Sequence, residues 1–228
     1  MYKLICFDLD DTLWPCMPTI QFAEQTLYSW LSENKPQITQ VYDIEQLRAK
    51  RKLLIQQQPE LMHDLSAARK VHLKQLAAET GDTDAWVEAA FDVFYEARQK
   101  VDLYDDVLPV LSELKNNYIL AALTNGNAHI SKTGLSDYFD FQVSAADVQA
   151  SKPDPAMFVT AMKMASVSPQ HTIHVGDHPL HDIQGGRNAG IDTVWLKRFA
   201  QTWNRGEPEP DQQFDNLNQF YSWLSELK

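Results

Sequence analysis

Phe7-Asp8-Leu9-Asp10-Asp11-Thr12-Leu13 decides how this chain is read. It follows Leu4-Ile5-Cys6-Phe7, an apolar run with the texture of a short buried parallel strand that delivers side chains to its C-terminal edge. Strand side chains alternate, so Asp8 and Asp10 fall on the same side at the strand's end. Carboxylates this close are costly unless a cation or a shared proton relieves them. An acid-rich turn is the bland reading of the fragment. A cation-dependent site is the sharper one.

From Pro18 to Lys100 the pattern is helical, with apolar residues recurring over 20–31, 44–55, 65–78 and 85–97 and breaks at Pro36, Pro59 and Gly81. After Tyr104 strands and helices alternate. Strands are expected over 118–124, 141–143, 172–175 and 193–196, and helices over 107–114, 156–165, 183–189 and 217–227. Asp154 and Pro155 open the second of those helices. Alternation of this kind predicts an α/β fold, a Rossmann-like parallel sheet covered on both faces, with an all-helical insertion. The expected boundaries are residues 1–14 and 104–228 for the core and 15–103 for the insertion.

The 228 residues carry 20 basic and 31 acidic side chains, a net charge of -11, which excludes general nucleic-acid binding. The insertion holds 10 basic and 13 acidic residues, leaving 10 and 18 in the core, so most of the negative charge sits with the strand-end carboxylates. Two cysteines, Cys6 and Cys16, build no disulfide framework and point to a cytoplasmic protein. The N-terminal apolar run is too short for a signal peptide, and no run suits a membrane span. A monomer or homodimer is expected.

Three further stretches complete a pattern. Leu120-Ala121-Ala122-Leu123-Thr124-Asn125-Gly126-Asn127 places Thr124 at the end of a strand. Ser151-Lys152-Pro153-Asp154-Pro155 places Lys152 just before a helix. His174-Val175-Gly176-Asp177-His178-Pro179-Leu180-His181-Asp182 sets Asp177 and Asp182 after another strand. With Asp8 and Asp10, this ordered set resembles the four motifs of the haloacid dehalogenase-like hydrolase superfamily, across the whole chain. The insertion then looks like that family's helical C1 cap, which closes over the site. Within the family the chain resembles the bacterial 5-amino-6-(5-phospho-D-ribitylamino)uracil phosphatases, through residues 124–127, 174–177 and the cap pattern His63-Asp64 followed by Arg69. Trp14-Pro15 is also similar to a capless magnesium-dependent phosphatase group, against which the long insertion argues.

The resemblance implies a phosphomonoester phosphatase for a small phosphorylated metabolite. Asp8 would attack phosphorus and form an aspartyl-phosphate. Asp10 would protonate the leaving oxygen and later deprotonate water. Mg²⁺ would be held by Asp8, the Asp10 carbonyl and Asp177. Lys152 and Thr124 would offset and hydrogen-bond the transferring group, and Asp182 would orient Lys152 or a metal-bound water. Asn125, Gly126, Trp14 and Arg69 are the candidates for touching substrate. Judged singly, Thr124 is a strand-end hydroxyl, Lys152 a surface lysine and Asp177 a helix cap; the ordered set is what reverses this.

Three other readings stand beside it. A 2-haloacid dehalogenase on the same fold needs the nucleophile but neither the second aspartate nor metal. A phosphosugar mutase differs only in what accepts the phosphoryl group. A non-catalytic binding protein has no use for the intact motifs. His174, His178 and His181 lie on a strand and in a loop with no thiolate near, an unsuitable zinc set. The basic run Arg48, Lys50, Arg51, Lys52 reads as a solvated helix face, and Trp86, Phe91, Phe94 and Tyr95 read as helix-packing residues.

Overall fold

The structure is a computed structural model in which residues 1–199, 206 and 208–227 are described. It divides into two compact units, one of Met1–Pro15 with Asp102–Lys228 and one of Cys16–Val101.

The first unit is built on six strands: β1 (Leu4–Phe7), β2 (Ile119–Thr124), β3 (Phe141–Ser144), β4 (Thr172–Gly176), β5 (Asp192–Leu196) and β6 (Gln212–Phe214). They form one parallel sheet in the order β3-β2-β1-β4-β5-β6. All four β1 residues are wholly buried, which suits a central strand covered on both faces. Leu4 and Cys6 point to one face, where they pack with Met157, Phe158 and Ala161. Phe7 points to the other, edge-on to Phe139 and Phe220. Burying one such side chain is worth about 1.5–3 kcal/mol.

The second unit holds α1 (Cys16–Asn34), α2 (Pro36–Thr39), α3 (Ile44–Gln57), α4 (Leu65–Glu79) and α5 (Val87–Arg98). The core follows with α6 (Val107–Leu114), α7 (Ala145–Val148), α8 (Ala156–Ala165), α9 (Gly185–Asn188) and α10 (Leu217–Glu226). Local chemistry accounts for several helix starts. A capping box of Asp43 and Gln46 opens α3. Asp64 caps α4 by accepting from the Ala67 amide at 2.8 Å. Asp154 accepts from Ala156 at 2.9 Å at the start of α8.

Three elements differ from the sequence expectation. The three-residue strand β6 was not expected, because Gln212-Gln213-Phe214 is too short and polar to show alternation. The helix expected over 183–189 is instead a π-helical stretch, Pro179–Gln184, running into α9. Third, the basic run on α3 is not simply a solvated face. Arg48 Nη2 and Arg51 Nη2 reach the buried Glu24 of α1 at 2.6 and 2.7 Å, while Lys50 pairs with Glu79. Burial works to raise the Glu24 carboxyl, but Arg51, Arg48 and Arg69 hold it below its ordinary pKa. The aromatics Trp86, Phe91 and Phe94 are buried in the apolar core of this unit, with Tyr95 packed on it.

Candidate active site

The site lies at the C-terminal edge of the parallel sheet, where β1 is flanked by β2 on one side and β4 on the other. This strand order reverses direction at β1, and open α/β sheets place ligands outside the strand ends at such a point. Asp8 follows β1, Thr124 ends β2, and Asp177 follows β4. An open cavity of about 160 Å³ is lined by Asp8, Asp10, Thr124, Asn125, Gly126, Lys152, Asp177 and Asp182, together with Asp11, His178 and His181.

Lys152 is the hub. Its Nζ donates to Asp8 Oδ1 at 2.5 Å, to Asp182 Oδ1 at 2.6 Å and to the Leu123 carbonyl at 3.0 Å. Burial alone would strip the lysine of its proton, but Asp182 and Asp8 raise its pKa and keep it charged. Asp182 is satisfied on both oxygens: Oδ1 also meets His174 Nε2 at 2.9 Å, and Oδ2 accepts from the His178 amide at 2.9 Å. Although burial works to raise it, the Asp182 carboxyl is held well below the usual range by Lys152 and His174. Burial lowers the His174 pKa, so the ring is neutral and its Nε2–H is the donor to Asp182. Gly176 makes this approach possible, since a Cβ there would collide with the Asp182 carboxyl.

Asp8 and Asp177 are different. Burial pushes the Asp8 carboxyl up to about 7, with Lys152 pulling against it and Asp182 adding to the rise. Burial also pushes Asp177 up to about 9, helped by the charges of Asp182, Asp8 and Asp11 and opposed by the Thr12 hydroxyl, which donates to Asp177 Oδ1 at 3.1 Å. One carboxylate oxygen each of Asp8, Asp177 and Asp182 lies within 4.8 Å of the others. Three buried carboxylates served by a single lysine lack a balancing charge, and their hard oxygens fit a divalent cation. With both Asp182 oxygens taken, Asp8 and Asp177 are the pair that such an ion would relieve.

The phosphoryl-binding candidates converge from separate loops. Thr124 Oγ1 accepts from the Gly126 amide at 2.9 Å, which tightens the turn after β2. Asn125 ties this turn to the lysine loop reciprocally: its Nδ2 donates to the Lys152 carbonyl at 3.1 Å, and the Lys152 amide donates to its Oδ1 at 2.8 Å. Asn125 therefore spends its amide on the protein, where a substrate contact was expected. Trp14 departs further from its expected place at the substrate. It is wholly buried, and its indole Nε1–H donates to Asp10 Oδ1 at 2.9 Å. Arg69 belongs to the helical unit, where its guanidinium lies 3.4 Å over the Phe94 ring and 3.5 Å from Glu24. That pairing gives it a structural occupation inside its own unit.

Sequence reasoning missed Thr12 and His174. Thr12 stands within the nucleophile stretch, but its hydroxyl points to a carboxylate 165 positions away. His174 carries a faint signal: a polar ring in the buried strand Thr172-Ile173-His174-Val175-Gly176 needs a partner. Arg198 adds a third brace, donating from Nε to the Thr12 carbonyl at 2.9 Å and pairing with Asp106 at 2.8 Å.

Comparison with known proteins places this geometry. The chain is 29% identical over 208 residues to the 5-amino-6-(5-phospho-D-ribitylamino)uracil phosphatase YigB of Escherichia coli K12, covering 88% of this chain and 87% of that one. It is 26% identical over 239 residues to a glyceraldehyde 3-phosphate phosphatase of Methanopyrus kandleri, covering 100% and 99%. A crystal structure described as a 2-haloacid dehalogenase from Pseudomonas syringae pv. Tomato DC3000 superposes with a TM-score of 0.93 at 35% identity, over 100% of both chains. The sequence model of the haloacid dehalogenase-like hydrolases matches residues 2–190. The aspartates, lysine and threonine at this sheet edge are thus in the company of a known set of hydrolases, and the chain belongs to the haloacid dehalogenase-like hydrolase family.

Proposed function

We propose that the protein is a Mg²⁺-dependent phosphomonoester phosphatase working through an aspartyl-phosphate. The observation that carries this reading is the charge balance: three clustered buried carboxylates face one lysine, and two of them have strongly raised pKa values. Bound at Asp8 and Asp177, Mg²⁺ would neutralise them and lower the repulsion met by a phosphate dianion. Asp8 Oδ2 then attacks phosphorus while Lys152 holds Oδ1. Lys152 and the Thr124 turn offset the charge spread over the transferring group. Asp10 gives its proton to the departing ester oxygen and in the second half takes one from water. The similarity to YigB supports a phosphorylated ribitylamino-uracil as substrate, and Arg69 remains a candidate for recognising it.

A second reading is favoured by the dehalogenase structure, which at 35% identity spans the whole chain. In that reaction Asp8 attacks carbon and displaces halide. Asp10 separates the two readings. Asp10→Asn should lower phosphatase turnover by about 10²–10⁴-fold, the usual worth of a general acid–base group. Steady-state assays with a phosphomonoester check this, and an unchanged rate would end the acid–base role of Asp10.

The raised carboxylates also set a pH dependence. A folded-state pKa above the unfolded one means that the folded protein binds more protons, so stability falls as pH rises. Asp8 and Asp177 titrate between about 4 and about 9, but buried His72, His174 and His181, whose pKa values are lowered by burial, act oppositely below about 6.5, so the window in which the carboxylates alone decide the slope runs from about 6.5 to about 9. In chelator the melting temperature should fall across this window, and Mg²⁺ should restore most of it at the alkaline end. Thermal melts at several pH values, with EDTA or Mg²⁺, measure both. A flat profile insensitive to Mg²⁺ would contradict the metal site.

A further inference from the structure

We propose that Trp14 is a positioning residue for proton transfer: its indole N–H fixes Asp10 in the rotamer from which that carboxyl serves the leaving group. The inference rests on the reading that Asp10 is the general acid and base. The indole Nε1–H donates to Asp10 Oδ1 at 2.9 Å, and the ring is wholly buried. Ring and carboxylate are the two ends of one closed turn. Within it the Asp11 amide donates to the Trp14 carbonyl at 2.7 Å, and the Leu13 amide donates to Leu9 at 2.8 Å. Asp11 takes a left-handed conformation, φ 62°, to close it. The Tyr104 amide then donates to the Leu13 carbonyl at 3.0 Å, fastening the turn to the start of α6's approach.

The chemistry of the donor matters. An indole N–H donates and has no lone pair to accept, so it orients a carboxylate without competing for the proton in transit. An aspartate side chain otherwise has several staggered wells. With Oδ1 held by Trp14, the carboxyl keeps one orientation through both half-reactions. In the first half-reaction the Asp10 carboxyl proton moves to the ester oxygen as its bond to phosphorus breaks and the Asp8–phosphorus bond forms. In the second, Asp10 takes a proton from water as the water oxygen bonds to phosphorus and the Asp8–phosphorus bond breaks.

Two esters of matched size read this out. Nitrophenolate leaves phosphorus with little help from a proton, whereas phenolate needs more. In Trp14→Phe, the ratio of kcat/KM for 4-nitrophenyl phosphate over phenyl phosphate should widen about tenfold relative to the wild type, a fraction of the full acid–base contribution. A general loosening of the fold would lower both alike, so an unchanged ratio in a folded variant overturns the proposal. A second measurement serves if Trp14→Phe fails to fold or if the wild type hydrolyses neither ester, the result that would strike the phosphatase reading itself. In ¹⁵N-labelled protein, Asp10→Asn should displace one of the six indole N–H resonances well beyond the others. If none moves, the bond does not hold in solution and the proposal fails.

Discussion

Asp8→Asn will leave a folded protein with turnover reduced by about four orders of magnitude or more, the scale on which removing an enzyme nucleophile is felt. The substitution keeps the shape of the side chain and removes its charge. Asparagine has no carboxylate to attack phosphorus or carbon, so the loss is expected for any substrate. Stability should move the other way. Asp8 is buried with its pKa already raised to about 7, so a neutral amide relieves a charge that the chelated protein holds at a cost. The melting temperature in EDTA should equal or exceed that of the wild type. Activity near the wild-type level, in a preparation free of deamidated protein, would end the nucleophile assignment.

Lys152→Met carries the second large effect, on both activity and stability. Lys152 is buried, and its Nζ serves Asp8, Asp182 and the Leu123 carbonyl. Methionine fills similar space without a charge. It leaves two buried carboxylates unpaired, a loss that typically costs about 3–5 kcal/mol. His174 still donates to Asp182, which softens the loss on that side only. Turnover should fall by about 10²–10³-fold or more, because a preorganised cation facing the transferring group is removed. Urea unfolding and steady-state kinetics on the same preparation test both effects. A variant within about 1 kcal/mol of the wild type would show that Lys152 does not balance the cluster.

Much of this site was legible because its chemistry is written in short stretches. Asp8 and Asp10 follow an apolar strand, Thr124 ends another, and Lys152 precedes a helix; local periodicity and turn residues give these positions, while the roles come from the ordered resemblance to the hydrolase family. The five strands with apolar texture were legible for the same reason, whereas β6 has almost no apolar surface to signal it. Contacts between distant positions left no local trace. Nothing near Thr12 announces Asp177, and nothing near Trp14 distinguishes a ring facing substrate from one facing Asp10. Arg48 and Arg51 look like solvated charges until Glu24, on another helix, is seen between them. The π-helical stretch Pro179–Gln184 carries Asp182 against Gly176, a tertiary contact that helical periodicity does not encode.

The central claim is that this carboxylate cluster serves phosphoryl chemistry under a divalent ion. The direct measurement is product release by the purified protein, scored for inorganic phosphate from a panel of phosphomonoesters and for halide from 2-haloacids, each with Mg²⁺ and with EDTA. The panel includes the ribitylamino-uracil phosphate, flavin mononucleotide and sugar phosphates. Phosphate released with Mg²⁺ and stopped by EDTA, with no halide from the haloacids, is the predicted result. Halide released from a 2-haloacid, undiminished by EDTA and without phosphatase activity, would contradict it.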